Sequence, residues 1–130
     1  MSRIYKILPR AEWDAARAAG VFAGSTVDRQ DGYIHFSTAD QAQETARRHF
    51  RGQAGLVVLE LEAGDLGPTL KWEPSRGGAL FPHLYGVLDA SLVRAVAEAP
   101  LDAEGVPQVG GLIAAPALRP CPARAPWRGR

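Results

Sequence analysis

The stretch Leu-Val-Val-Leu-Glu-Leu-Glu at residues 56–62 constrains the fold of this chain most, because its alternation has a period of two. Successive side chains of a β-strand point to opposite faces, so Val57, Leu59 and Leu61 are predicted to face a core. The alternate residues Glu60 and Glu62 are then predicted to point outward. A strand with one apolar face needs a sheet and a covering layer, which excludes an all-helical fold.

The residues before this strand alternate between strand-like and helix-like patterns. Residues 3–8 predict a short strand in which neither face is wholly polar. The alanine-rich segment that follows predicts a helix opened by Pro9 and ended by Gly20, with Trp13 and Ala16 facing inward. Residues 26–32 contain turn-forming types and are predicted to be a turn. Residues 37–50 predict a second helix, with Thr38 and Gln41 forming a capping box.

The later segments extend this order to β-α-β-α-β-β. "LKWE" predicts another strand, "PSRGGALFPHLYG" predicts a loop held by large apolar anchors, and residues 91–99 fit either a strand or a helix. We therefore expect an α+β fold with small mixed or antiparallel sheets and two helices in the first half. One domain is predicted over residues 1–113, followed by a flexible tail rich in Pro and Arg at 114–130.

The distribution of charge argues against nucleic acid as a partner. Residues 119–130 contribute four of the 15 basic residues and none of the 14 acidic ones, so the rest of the chain is mildly acidic. The single cysteine, Cys121, excludes an intramolecular disulfide framework. No apolar run approaches the length of a membrane span, and residues 1–10 do not resemble a signal peptide, so a cytoplasmic protein without membrane contact is predicted.

The stretch "DGYIHFST" at residues 31–38 holds the strongest candidate for chemistry. Strand periodicity separates Ile34 and Phe36, which are predicted to face the core, from Tyr33, His35 and Ser37 on the other face. His35 then contacts a ligand, or it is a half-buried strand residue that bonds a neighbouring carbonyl. Ser37 and Thr38 begin a helix whose free N–H groups favour an anion.

Two further segments offer candidate contacts. In "FPHLYG", His83 and Tyr85 share a strand parity, although the segment also fits a packed loop. Trp72 in "KWEPSRGG" is a candidate stacking surface or a core residue. The third histidine, His49, is predicted to lie on the buried side of its helix as a structural hydrogen-bonding residue. No close histidine pair has metal-ligand spacing, so no metal site is predicted.

The segments "IYKIL", "EWDAARAAG", "DGYIHFSTADQAQETARRHF", "LVVLELE", "LKWE" and "FPHLYG" together resemble the bacterial domain-of-unknown-function family 952. The resemblance covers residues 3 to about 97. That family is similar in fold to the ADP-ribosyltransferase superfamily, whose split α+β sandwich holds NAD between two small sheets. The "IHFST" strand is also similar to a strand of the tRNA 2′-phosphotransferases, which use NAD to remove an RNA phosphate.

The resemblance implies roles for four residues. His35 would hydrogen-bond a ribose or a phosphate, Ser37 would support it, Tyr85 would stack on nicotinamide, and His83 would add a polar contact. The chain lacks the arginine-rich phosphate grip of the RNA phosphotransferases and a catalytic glutamate in a recognisable late motif.

Three hypotheses about function follow. The first is an ADP-ribosyltransferase-like enzyme that binds NAD or a related phosphorylated nucleotide, with His35 and His83 as catalytic candidates. Its cofactor-binding candidates are Tyr33, Ser37, Thr38, Trp72 and Tyr85. The second is a non-catalytic module that binds a small anion or metabolite in the same cleft. In the third hypothesis, "DGYIHFST" and "FPHLYG" have only a structural role in packing.

Overall fold

A computed structural model describes residues 3–74 and 79–109. The helices are α1 (Arg10–Ala19), α2 (Thr26–Asp31) and α3 (Ala39–His49). The strands are β1 (Arg3–Pro9), β2 (Val21–Phe22), β3 (Ile34–His35), β4 (Ser37–Thr38), β5 (Leu56–Glu62), β6 (Leu70–Pro74), β7 (Leu80–Leu84), β8 (Leu88–Asp89) and β9 (Ala95–Glu98). The described residues also include 3₁₀ segments at Ala63–Thr69 and Ala90–Leu92.

The largest sheet has the strand order β4-β1-β5-β9, and its pairings are antiparallel. Its centre is the pairing of β1 with β5, which runs from Arg3 opposite Glu62 to Pro9 opposite Leu56. A second sheet has the order β3-β7-β6, and β2 pairs with β8. The fold class predicted from the sequence, α+β with small antiparallel sheets, is therefore confirmed.

Strand β5 is buried along its whole length, which corrects part of the sequence prediction. Val57, Leu59 and Leu61 face the main core, as expected. Glu60 and Glu62, predicted to point outward, are also buried because a second core lies on the other face of the sheet. Arg3 bonds both carboxylates, at 3.1 and 3.2 Å, and the Tyr5 hydroxyl donates to Glu60 at 3.0 Å. The charges of the Glu60 and Glu62 carboxylates are therefore compensated inside the protein.

Helices α1 and α3 contribute to different cores. Trp13 of α1 is almost fully buried in the main core. Ala42 and Ala46 of α3 belong to the second core. The predicted caps are confirmed: α1 ends at Gly20 in the left-handed conformation, and α3 begins with the capping box of Thr38 and Gln41. Helix α3 covers Ala39–His49, slightly less than the predicted 37–50.

Three segments differ from the sequence prediction. Residues 26–31 form a third helix in the first half rather than a turn, because Ser25 and Asp28 form a capping box. "FPHLYG" contributes β7, the central strand of its sheet, because both neighbouring strands pair with it. His49 is exposed, since α3 buries the face carrying Ala42 and Ala46.

The ambiguous segment 91–99 contains strand β9. In the part of the chain that the structure describes, no helix is long and apolar enough to cross a membrane. The predicted tail, 114–130, lies outside the described residues, as does Arg76 in "KWEPSRGG".

Candidate functional site

The two candidate histidines lie opposite each other on neighbouring strands. β3 pairs antiparallel with β7, and this pairing sets His35 against His83 and Ile34 against Leu84. Directly opposed residues of an antiparallel pair point to the same face. The ring centroids of the two histidines are 5.5 Å apart, edge to face.

Tyr33 joins the two histidines into one aromatic group. Its ring stacks on His83 at a centroid distance of 4.2 Å and lies 4.7 Å from His35. Tyr85 lies 5.2 Å from Tyr33 in a tilted arrangement. These distances are those of favourable aromatic pairs. We call Tyr33, His35, His83 and Tyr85 the histidine cluster.

Asp28, on α2, is the centre of a buried hydrogen-bond network. Its Oδ1 accepts from the backbone N–H of His35 at 3.2 Å and lies 2.6 Å from His35 Nδ1. Its Oδ2 accepts from Lys6 Nζ at 2.8 Å and from the Ser25 backbone N–H at 2.9 Å. Four donors around one carboxylate satisfy the lone pairs of an ionised aspartate.

These contacts keep Asp28 ionised. Burial alone would raise the pKa of its carboxyl, but the bonds from His35 and Lys6, with the charge of Lys6, hold that pKa well below its usual range. Burial lowers the pKa of Lys6 below its usual range, and the attraction of Asp28 opposes this. Because an ionised carboxylate can only accept, His35 Nδ1 is the donor in its hydrogen bond to Asp28.

The short helix α2 places Asp28 in this position. Asp28 is the third helical residue, where it completes the capping box with Ser25. Gly24 precedes this box with a φ of 112°, and a Cβ there would lie 2.9 Å from Asp28 Cβ. Gly32 ends the helix at a φ of 89°, and both Gly32 and Tyr33 donate their N–H groups to the Asp28 carbonyl. The chain therefore turns directly from α2 into β3.

The second ring nitrogen of His35 also meets a carboxylate. Nε2 lies 2.9 Å from Asp31 Oδ2, at the exposed end of α2. A neutral imidazole has only one N–H, so bonds to both carboxylates require the imidazolium form. The side chain of Asp31 is 46% exposed, whereas that of Asp28 is 3% exposed. Asp31 is thus the partner that can turn away and release Nε2.

His83 has its own carboxylate partner, Glu73 of β6. His83 Nδ1 lies 2.8 Å from Glu73 Oε1, and the Tyr85 hydroxyl donates to the same oxygen at 2.8 Å. These two bonds lower the pKa of Glu73, and the bond to Glu73 raises the pKa of the Tyr85 phenol. The two histidines are therefore each paired with a carboxylate.

A cavity of about 570 Å³ opens beside the histidine cluster. Its polar wall carries Lys6, Asp28, Asp31 and His35, and its apolar wall includes Phe36, Phe50 and Phe81. His49 and Thr45 of α3 line another side. This volume and mixture of walls are typical of a small-molecule site. Among the described residues, no three His, Cys, Asp or Glu side chains are arranged to hold a metal ion.

Three other predicted contact residues lie apart from the histidine cluster. Ser37 lines the cavity but is buried, and its hydroxyl donates to Thr45 at 3.2 Å. Thr38 is used by the capping box of α3, where its N–H donates to Gln41 at 3.0 Å. Trp72 lies opposite Pro82, on the face of the sheet away from His83, because neighbouring residues of a strand alternate.

Sequence reasoning missed Lys6, Asp28 and Asp31 as site residues. The order Ser25-Thr-Val-Asp28 is a capping-box pattern with aspartate in place of glutamate, and it was the available signal for α2. Nothing in the pattern of residues 3–8 indicated that Lys6 meets Asp28, since that contact spans 22 residues.

Comparisons with known proteins identify the family. No functionally curated protein matches the chain significantly. The crystal structure of protein CC0527 from Caulobacter crescentus is similar, with 61% identity, a TM-score of 0.85 and coverage of 87% of this chain and 99% of that one. The solution NMR structure of CC0527 has 63% identity, a TM-score of 0.76 and coverage of 85% and 95%. A family model described as protein of unknown function DUF952 matches residues 7–96. The chain therefore belongs to the DUF952 family.

Proposed function

We propose that the cavity binds NAD or a related phosphorylated nucleotide, and that the protein is an ADP-ribosyltransferase-like enzyme in which His35 transfers a proton. The observation that carries this proposal is the pairing of His35 with buried Asp28, opposite His83, at the edge of the cavity. A histidine oriented by a buried carboxylate is a common arrangement for general acid–base catalysis.

The step is a substitution at the ribose carbon C1′. The bond between C1′ and the nicotinamide nitrogen breaks, and its electron pair leaves with nicotinamide. An acceptor oxygen forms the new bond to C1′, and the proton of that acceptor passes to His35 Nε2. Before this transfer Asp31 turns away and Nε2 releases its proton to water, so that the neutral ring keeps its proton on Nδ1. Nε2 can then accept the proton, and Asp28 stabilises the imidazolium that forms again.

The experiment compares NAD, ADP-ribose, mononucleotides and inorganic phosphate as ligands in a thermal-shift screen, with nicotinamide release followed by chromatography. We expect NAD to raise the Tm of the wild type and nicotinamide release to depend on His35. His35→Gln keeps an amide group that can bond Asp28 but cannot exchange a proton. The control is Trp72→Ala, since Trp72 lies on the other face of the sheet.

The two readouts separate the possible outcomes. Release of nicotinamide by the wild type and by Trp72→Ala, but not by His35→Gln, supports the enzyme. A thermal shift without turnover contradicts the transferase and supports the binding module. No shift with any nucleotide contradicts nucleotide binding altogether.

A second function, a non-catalytic module for a small anion or metabolite, is favoured by one observation. Both ring nitrogens of His35 already meet carboxylates, at 2.6 and 2.9 Å, so the ring in this arrangement has no free acceptor. An imidazolium held in this way contributes a positive charge beside Lys6 and cannot act as a base. If the protein is such a module, we expect inorganic phosphate to raise its Tm as ADP-ribose does. His35→Gln should then abolish both shifts.

A further inference from the structure

Lys6 lies at a position where an apolar residue would be expected. Its neighbours on the same face of β1 are Ile4 and Leu8, both fully buried, and its partner across the sheet is Leu59. Lys6 itself is only 5% exposed, and Nζ lies 5.9 Å from the centroid of the Phe22 ring. Burial of an ammonium group costs free energy that an apolar side chain would not incur.

The ion pair with Asp28 does not by itself explain this lysine. A buried ion pair is often no more stabilising than two apolar side chains of similar volume. Asp28, however, does not end the network, because its other oxygen bonds both the backbone N–H and the ring Nδ1 of His35. Lys6 thus holds one oxygen of the carboxylate and His35 meets the other, and both residues line the cavity.

We propose that Lys6 is a positioning residue for His35, an inference that rests on the proposed function of that histidine. The ammonium keeps Asp28 ionised, so that Asp28 accepts a hydrogen bond from Nδ1 and does not donate one. This fixes Nδ1 as a hydrogen-bond donor to Asp28 and directs Nε2 toward Asp31 and the cavity. Lys6 touches no reacting atom in this arrangement.

The test is NMR of the ligand-free protein with ¹⁵N-labelled histidine. A short bond between Nδ1–H and a carboxylate gives a proton signal far downfield, protected from exchange with water. We expect the wild type to show this signal for His35 and Lys6→Met to lose it. Because the protein is free of ligand in this experiment, the NMR result does not depend on whether NAD binds. Loss of the signal likewise does not test whether the protein releases nicotinamide.

Two further variants test whether loss of the signal is specific to loss of the Lys6 ammonium group. Leu59→Ala removes packing directly opposite Lys6 without touching the ion pair, so it should destabilise the fold and keep the signal. Lys6→Gln keeps an N–H donor without the charge and should also lose the signal; it replaces Lys6→Met if that variant does not fold. The proposal is overturned if either Lys6 variant keeps the wild-type signal, or if Leu59→Ala loses it.

Discussion

His35 on β3 and His83 on β7 occupy paired positions of one antiparallel ladder, and their ring centroids lie 5.5 Å apart. Each ring is held through Nδ1 by a carboxylate from a different element, Asp28 from α2 and Glu73 from β6. The pairing of β3 with β7 therefore brings together two histidine–carboxylate pairs that are distant in the sequence.

The Asp28→Asn substitution should be strongly destabilising. It leaves the Lys6 ammonium buried without a countercharge, and loss of one member of a buried ion pair costs about 3–5 kcal/mol. Urea denaturation measures the change in the free energy of unfolding. Asp14→Asn, on the exposed side of α1, is the matched control and should change it by less than about 0.5 kcal/mol. Equal effects of the two substitutions would contradict the role of Asp28.

The contribution of Asp28 should also depend on pH. Its folded pKa lies below the ordinary value of 3.8, so its stabilising contribution is complete above that value and is lost as the pH falls through the folded pKa. The difference in free energy of unfolding between wild type and Asp28→Asn should therefore be constant near neutral pH and shrink below about pH 4. Denaturation curves over this range measure it. If the difference in free energy of unfolding grew on acidification, the pKa of Asp28 would not be lowered in the folded protein, and this prediction would be wrong.

Gly24→Ala should disturb the network through Asp28. Alanine disfavours the φ of 112° at this position, and its Cβ would lie 2.9 Å from Asp28 Cβ. We expect a loss of more than about 1 kcal/mol, measured by thermal or urea denaturation. Gly64→Ala is the control, since a Cβ there meets nothing within 4 Å. If Gly24→Ala is as stable as Gly64→Ala, Gly24 has no special role.

Glu73→Gln should lower the pKa of the Tyr85 phenol toward its ordinary value of 10.0, because the bond to the Glu73 carboxylate raises that pKa in the wild type. NMR of ¹³C-labelled tyrosine follows the ionisation of each phenol. Tyr5 is the internal reference, since burial and Glu60 raise its pKa to about 12. A Tyr85 titration that does not move in the variant would show that this hydrogen bond is absent in solution.

Thr38→Ala should cost about 1 kcal/mol, because it removes the hydroxyl of the capping box at the start of α3. Urea denaturation checks this value, and Thr69→Ala, at an exposed position, is the control. Thermal shifts with phosphate, measured on Thr38→Ala, test the sequence prediction of an anion site at this helix end. A phosphate shift that survives the substitution counts against a role for the Thr38 hydroxyl.

Much of the fold could be predicted because its signals are local. The period of two in residues 56–62 indicated β5, and the cap residues Gly20 and Thr38 marked the ends of helices. Helix α2 was missed because six residues give too short a pattern for periodicity. Strand β7 was missed because Pro82 and its glycine-rich approach are typical of loops, and only pairing with both neighbours makes it a strand.

The sequence by itself determined the α+β class, the division of "DGYIHFST" into a core face and a polar face, and His35 and His83 as candidates. Those properties depend on residue type and on the alternation of a strand, which act over a few positions. Only the tertiary structure decided that Lys6, Asp28 and His35 form one network and that His83 lies opposite His35. Contacts such as that between Lys6 and Asp28, which lie 22 positions apart, depend on the packing of separate elements, and no local pattern encodes them.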